Sequence, residues 1–398
     1  MKRFSTFITE SIEDDKNIPL KSEDKGRLFE YESARRLLRS KNREKTTPGT
    51  FREKASAAVK EIADKVGQFH HEVIKSHARD TAKAVHSYLQ DKGHVGNGRS
   101  IAKIYWTSNP DDPKKLANKY GIKNPDKTKA DVSIVTHEHS DPYADKNRKA
   151  VAKVTDHQGK NPSLVNISFK YGSQGKVNLQ NSGLKSLEAQ SGHHGLYQKM
   201  AADHDTRMKT LGYNGVNSKK SKNSNRAMWE ADAASHDPAR QAKAKKASDS
   251  ADSVLKNIAS AHRQALGHKS SDELEQHIRN IAAPKTEYPE IIVHGHVSDK
   301  KTKTIRVKKD GKVSALQIPQ VTPKVYDAQD HVNQHLAKFE KGSLHVAQEQ
   351  AGSTVVIKGR VNQPGNKMHG KISNVFSQTL KRGGTGPFSG FASTAQLG

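Results

Sequence analysis

Two short β-branched runs constrain this chain more than any other feature. Ala130-Asp-Val-Ser-Ile-Val ends at Val135 and carries one acid, Asp131, at its start. Val165-Asn-Ile-Ser-Phe-Lys-Tyr-Gly ends at Gly172 and carries Lys170 near its close. Short apolar runs of this composition are strands. Paired in one sheet, they deliver an acid and a lysine to the same end, and the rest of the chain is arranged around that pair.

The segments before it are mostly helical. Leu28, Phe29, Tyr31, Ala34, Leu37 and Leu38 give the stretch Lys25 to Leu38 a broad apolar face. Glu30 shares a stripe with Ala34 and Leu37, so its carboxylate must be paired, protonated or metal-bound. Glu32 points toward Arg35, Arg36 and Arg39 and reads as a surface ion-pair residue. Residues 51–92 read as a long helix or helical pair on the spacing of Val59, Ile62, Val66, Phe69, Val73 and Ile74. Its histidines, His70, His71 and His77, have no metal spacing and read as packing or surface groups. Gly93 to Gly98 reads as a helix terminator, and Ile101 to Trp106 as a strand.

The acid–lysine pair suits phosphodiester hydrolysis. That reaction needs a cation to neutralise phosphate oxygens and lower the pKa of an attacking water. Mg²⁺ takes one or two carboxylates plus waters and substrate phosphate. A nearby lysine stabilises the developing charge. The chain supplies Glu30 on a helix, Asp131 on one strand and Lys170 on the next, with Mg²⁺ or Mn²⁺ as the expected ion.

In that order the chain resembles the PD-(D/E)xK nuclease superfamily. Tyr105-Trp-Thr-Ser-Asn-Pro, Lys129-Ala-Asp-Val-Ser-Ile, Ile167-Ser-Phe-Lys-Tyr-Gly and Asn181-Ser-Gly-Leu look like the corresponding stretches of such proteins in T4-like phages. The resemblance implies an α/β (α+β) fold with a restriction-endonuclease-like mixed sheet flanked by helices. It implies that Glu30 and Asp131 are metal ligands and Lys170 the catalytic lysine. Ser168 stands where the family has its third acid, and Ala130 where it has proline. Either a backbone carbonyl near Phe169, with Ser168 or Gln174 assisting, completes the shell, or the fold binds DNA without cutting it. Gln174, Asn178 and Asn181, in a loop after Lys170, are candidate backbone contacts, with Ser168, Gln174 and Asn181 supporting the site.

A competing motif follows Asp131 directly. Thr136-His-Glu-His-Ser-Asp-Pro looks like the zinc-ligand turn of the metallo-β-lactamase fold and would use His137, His139 and Asp141. Pro142 stands where that motif has a further histidine, so half of its second metal site is missing.

Composition points to the partner. Lys and Arg number 68 against 42 Asp and Glu, a net charge of +26. That excess favours a polyanion, here DNA. Lys219, Lys220, Lys222 and Arg226 cluster in a loop spanning Gly212 to Asn225, with Arg240, Lys243, Lys245 and Lys246 beyond, and read as phosphate contacts. Trp229 either anchors this segment or stacks on a base. No apolar run approaches the roughly 18 residues needed to span a bilayer, so no membrane association is expected. The absence of cysteine excludes disulfides and thiolate chemistry.

The ends complete the organisation. Phe4, Phe7 and Ile8 make the start amphipathic. The segment resembles the capsid-targeting peptides of internal head proteins in T4-like phages, which a prohead protease cuts after Leu/Ile-x-Glu. Ile8-Thr9-Glu10 fits, which implies cleavage after Glu10 and a place inside the virion or in the host cytoplasm. The expected layout is an amphipathic segment over 1–19 and a nuclease-like domain over 20–283 with helical insertions at 51–92 and 184–283. A small α+β module over 284–382 follows a boundary at Pro284, and an irregular tail covers 383–398. Within the module, strands are expected at 290–297, 304–308, 313–318 and 353–361, with a helix at 325–340. A basic internal head protein without catalysis is the alternative to the nuclease.

Overall fold

The computed structural model describes residues 22–39, 51–96, 99–106, 130–138, 160–172, 178–213, 219–283, 288–309, 312–348, 352–382, 387 and 390–398. The amphipathic start, His139, Asp141, Gln174 and Pro284 lie outside these residues. The chain divides into two units, Met1–Gly175 with Lys285–Asp330, and Lys176–Pro284 with His331–Gly398.

Among the described residues, the first unit is a five-stranded mixed sheet under two helices. Its strands are β1 (Arg99–Trp106), β2 (Val132–Glu138), β3 (Lys160–Gly172), β5 (Glu290–Lys309) and β6 (Lys312–Asp327), in the order β1-β2-β3-β5-β6. All pairs are antiparallel except β3 with β5. The mixed α/β class expected from the sequence is present. Helices α1 (Ser22–Arg39) and α2 (Phe51–Asp91) cover one face. Leu28, Phe29, Ile62, Ile74, Val85 and Leu89 bury there against Ile134, Val165, Ile167, Ile291 and Val293. The residues spaced three and four apart in the sequence are therefore the ones that pack. The 51–92 stretch is thus a wall of the core rather than an insertion. It kinks at Gly67, whose φ of 76° suits glycine alone.

Phe29 locks the helix layer to the sheet. Its ring stacks on Tyr171 at 4.5 Å and meets Phe169 edge-on at 6.4 Å. It fits because the facing position on β5 is Gly295, where a Cβ would lie 2.6 Å from the Phe29 ring. His77 fastens the same layer, bonding the Tyr171 hydroxyl and the Pro319 carbonyl at 2.7 Å each. It is a packing histidine, as its sequence context suggests.

The sequence reading places residues 290–327 in a separate carboxy-terminal module, and the structure does not. β5 lies beside β3 in parallel, with Asn166 opposite Glu290 and Lys170 opposite His294. Ile291, Ile292 and Val293 are all buried, the unbroken apolar run of a strand covered on both faces. The two strands expected at 304–308 and 313–318 are the outer parts of β5 and β6. The helix expected at 325–340 is shorter, α8 (Ala328–Leu336), because β6 runs on to Asp327.

The second unit has its own antiparallel sheet, β4 (Asn178–Gly183), β7 (His345–Val346), β8 (Thr354–Arg360), β9 (Ile372–Arg382) and β10 (Phe391–Leu397), in the order β4-β10-β9-β8-β7. Its helices are α3 (Leu184–Ser191), α4 (Leu196–Thr210), α5 (Lys219–Ala233), α6 (Pro238–Gly267) and α7 (Ser271–Ala282). The expected irregular tail is therefore wrong over Phe391–Leu397, which pairs on both sides. Ser393, Ala395 and Leu397 alternate as its buried positions. Small residues supply the inward face, so a Gly- and Ser-rich composition hides a strand with period two. The expected loop after Lys170 likewise holds β4.

A polar seam runs between α6, α7 and β9. His262 Nε2 meets Gln378 Oε1 at 3.0 Å, and Gln378 Nε2 donates to Ser393 Oγ at 3.0 Å and to Gln190 Oε1 at 3.1 Å. The His277 ring lies 6.0 Å from that of His262 and edge-on to Phe376. Burial drives both imidazoles down, His262 to about 4 and His277 to about 3. The unfolded chain, with ordinary histidines near 6.5, binds protons first as pH falls. Stability is therefore full above about 6.5 and declines below it, by about 1.4 kcal/mol per pH unit for each histidine. Urea unfolding between pH 7 and pH 5 should show a falling midpoint, and His277→Phe should flatten that slope. An unchanged slope in the variant would show that His277 is not the group responsible.

Candidate active site

Asp131 sits at the bend that opens β2. Its backbone N–H donates to the Ile167 carbonyl at 2.9 Å. Its carboxylate Oδ2 accepts the Phe169 N–H at 2.6 Å and the Ser168 hydroxyl at 3.3 Å. Lys170 Nζ lies 3.7 Å from the same oxygen. The register of β2 on β3 explains the meeting, since Val132 pairs with Ile167 and the residue before it reaches the next rungs of β3. Both side chains stay about a quarter exposed, open enough for a substrate to reach them.

The alternation of β3 sorts its side chains. Phe169 and Tyr171 face α1, while Asn166, Ser168 and Lys170 face the other way. The polar row continues inward, where the buried Ser133 hydroxyl donates to Asn166 Oδ1 at 2.7 Å. Ser168 itself is 5% exposed. A carboxylate at that position would face Asp131, on the strand face that also carries Lys170.

β5 adds residues that the sequence reading missed. His294 and His296 pair in register with Lys170 and Gly172, on the face that carries Lys170. Their rings lie 6.0 Å apart. Burial, the neighbouring His296 and the charge of Lys324 lower the pKa of His294. The signal was present in His294-Gly295-His296, whose alternation puts both imidazoles on one face. Placing the segment in a separate module hides that signal.

Glu30 follows Phe29 on α1 and is half-buried, so the helix carrying it is the one clamped against Phe169 and Tyr171. Among the described residues, however, no three His, Asp or Glu side chains converge as a metal cluster. The expectation for Glu32 needs correction. It is fully buried, not on the surface. The partners expected from spacing are present, with Arg35 Nη2 at 2.8 Å and Arg36 Nε at 3.4 Å, and His71 Nε2 joins at 3.2 Å. Burial pushes the carboxyl up, but the His71 and Arg35 hydrogen bonds and the two arginine charges outweigh it and bring it to about 2.

The remaining candidates fall on other elements. Asn181 belongs to β4 of the second unit, opposite Thr394 of β10, so it is a strand residue rather than a loop residue. Lys219, Lys220, Lys222 and Arg226 open α5 instead of a loop. Arg226 pairs with Glu230 at 2.7 Å. Arg240 and Lys243 close on the buried Asp232 at 2.8 and 3.1 Å, and Trp229 anchors the segment by donating to the Ala244 carbonyl at 3.1 Å. Of the zinc motif, His137 lies on β2, opposite Ser100 of β1. No helix among the described residues is long and apolar enough to cross a membrane.

Comparison with known proteins adds little. No protein-family model matches the chain, and no curated protein matches it. Among solved structures, the restriction endonuclease MspI in complex with its cognate DNA aligns over 84% of this chain and 90% of that chain, at 11% identity and a TM-score of 0.30. A likeness that loose carries no argument about function, which rests instead on the local geometry.

Glu32→Ala should leave two arginines facing an empty buried site and cost about 3 to 5 kcal/mol. Chemical denaturation at pH 7 reads this directly. The native stability from this group is present above about pH 4.5 and is lost as pH falls toward 2.

Proposed function

We propose that this chain is a divalent-metal-dependent DNA endonuclease of the PD-(D/E)xK type. The observation that carries the reading is the junction of Asp131 and Lys170 on adjacent strands, 3.7 Å apart, with the Phe169 N–H holding the carboxylate. An acid aimed by a backbone amide beside a partly exposed lysine is a means of receiving a phosphodiester. The net charge of +26 supports a polyanionic substrate.

Mg²⁺ or Mn²⁺ suits the donor set as an ion held by few protein oxygens. Asp131 offers a hard carboxylate with an accessible edge, and Glu30 on the clamped helix is the proposed second ligand. When bound, such an ion neutralises non-bridging phosphate oxygens and acidifies a coordinated water. Lys170 then sets its ammonium against the charge that develops on the phosphate. Ser168 keeps Asp131 oriented through its hydroxyl. At the start of α5, Lys219, Lys220, Lys222 and Arg226 are proposed to add phosphate contacts. The Arg226–Glu230 pair is an exposed one, worth little enough to yield to a phosphate.

Asp131→Ala and Lys170→Ala should each lower cleavage of plasmid DNA by a factor on the order of 100 or more, while duplex binding persists. Cleavage by either variant at the parent rate would overturn the assignment. A second reading has its own support: the Oδ2 atom of Asp131 is already taken up by Phe169, Ser168 and Lys170. That is how a retired site in a DNA-binding internal head protein would rest. Intact DNA affinity with no cutting in Mg²⁺ or Mn²⁺ would favour it.

The resemblance of the first residues to a capsid-targeting peptide supports a place in the head of a T4-like phage. Mass spectrometry of virions should then find a peptide beginning at Ser11, and its absence together with that of the protein would remove the packaging idea.

A further inference from the structure

The outer part of β5 and β6 forms a two-stranded ribbon. β3 ends opposite His296, and from Val297 to Lys309 β5 pairs, among the described residues, with β6 alone. At about 3.3 Å per residue the ribbon extends on the order of 40 Å. It is held rigid from one side. Phe69 and Val73 of α2 pack against Ile305, Val307, Leu316 and Ile318, the His77 ring bonds the Pro319 carbonyl, and Asp80 pairs with Lys303.

The opposite face of the ribbon is open. Thr304 and Arg306 on β5 and their partners Gln317 and Ala315 on β6 are exposed, and so are Lys300 and Lys301 at the irregularity between Ser298 and Thr302. The sequence from Val297 to Lys312 holds seven Lys or Arg and two Asp. Lys303 is taken by Asp80, but no described carboxylate pairs with Lys300, Lys301 or Arg306. A helix covers the apolar side, so this is not an edge waiting for a further layer. What it presents is a stiff cationic strip about as long as one turn of B-DNA, roughly 34 Å.

We infer that the open face of this ribbon grips the phosphate backbone of duplex DNA through Lys300, Lys301 and Arg306. The inference rests on the nuclease reading for the identity of the polyanion. The grip itself is sequence-independent, because phosphate contacts position a protein without reading bases. The polar Thr304 and Gln317 lie between the cations and suit further contacts to backbone oxygens.

The test compares the full-length parent chain with Lys300→Gln/Lys301→Gln/Arg306→Gln, using fluorescence anisotropy on a 30-base-pair duplex without divalent metal, over a series of salt concentrations. A control, Lys199→Gln/Lys256→Gln/Lys367→Gln, removes the same charge from exposed positions of the second unit. Three lost phosphate contacts should lower the slope of log K against log salt by about 3 and weaken binding on the order of tenfold or more. All six positions are exposed, and matching thermal melts confirm that the variants fold. An unchanged slope in the ribbon variant overturns the inference, and so does an equal loss in the control, which would mean diffuse charge alone. Loss of binding to phosphatidylserine vesicles with duplex affinity intact overturns it in favour of a membrane surface. Cleavage assays in Mg²⁺ keep the two proposals apart. A parent that cuts while the ribbon variant binds as before removes only the grip. A parent that never cuts, but whose slope falls in the variant, removes only the nuclease.

Discussion

The parallel pairing of β3 with β5 is the constraint on which the rest of the molecule depends. Two antiparallel strands can be joined by a tight turn, but parallel neighbours need a crossover. Here the return from Gly172 to Glu290 takes in β4 and helices α3 to α7, which are the first part of the second unit. That unit is completed only after α8, when the chain supplies β7 to β10. A single strand pairing thus makes both units discontinuous in sequence. It also decides what stands next to Lys170, since His294 enters the polar face through the register of that pairing alone.

The pairing is held from the helix side by an exchange of volumes. Phe29 occupies the space that a side chain at position 295 would need. Glycine there costs some backbone entropy, offset by the burial of a whole aromatic ring between Tyr171 and Phe169. Because those two residues flank Lys170 in sequence, clamping them fixes the lysine on the opposite face. Glu32 and His71 tie α1 to α2 in the same layer. The helices therefore hold the strand that carries Lys170, and so bear on the geometry of the Asp131–Lys170 junction.

Local physics was legible in the sequence and long-range pairing was not. The apolar spacing of α1 and α2 and the strands around Asp131 and Lys170 follow from periodicity within a dozen residues, and the helical content of 184–283 follows from composition. The meeting of Asp131 with Lys170 follows from the register of β2 on β3, in which Val132 pairs with Ile167, and the two strand runs that carry them are legible in the sequence. Nothing within residues 284–330 reveals that β5 joins a strand more than a hundred positions earlier. The failure at the tail has a different cause. Phe391–Leu397 buries Ser393 and Ala395, and such small inward residues resemble loop composition. Glu32 is buried although it is charged, because paired charges bury when each partner is satisfied.

The same point changes how the net charge should be understood. A surplus of 26 positive charges says that a polyanion is favoured, but not where it sits. Several cations that look available in the sequence are already committed: Arg35 and Arg36 to Glu32, Arg240 and Lys243 to Asp232, and Lys303 to Asp80. These pairs are partly buried, so salt screens them weakly, and their partners would be left as uncompensated charges if a ligand drew them away. Cations on an open face have no such cost, since their counterions are mobile and leave when a phosphate arrives. A basic segment in the sequence is therefore a poor guide to a binding surface until its carboxylate partners are known. By that criterion the ribbon of β5 and β6 presents uncommitted cations, and the turn around Asp232 does not.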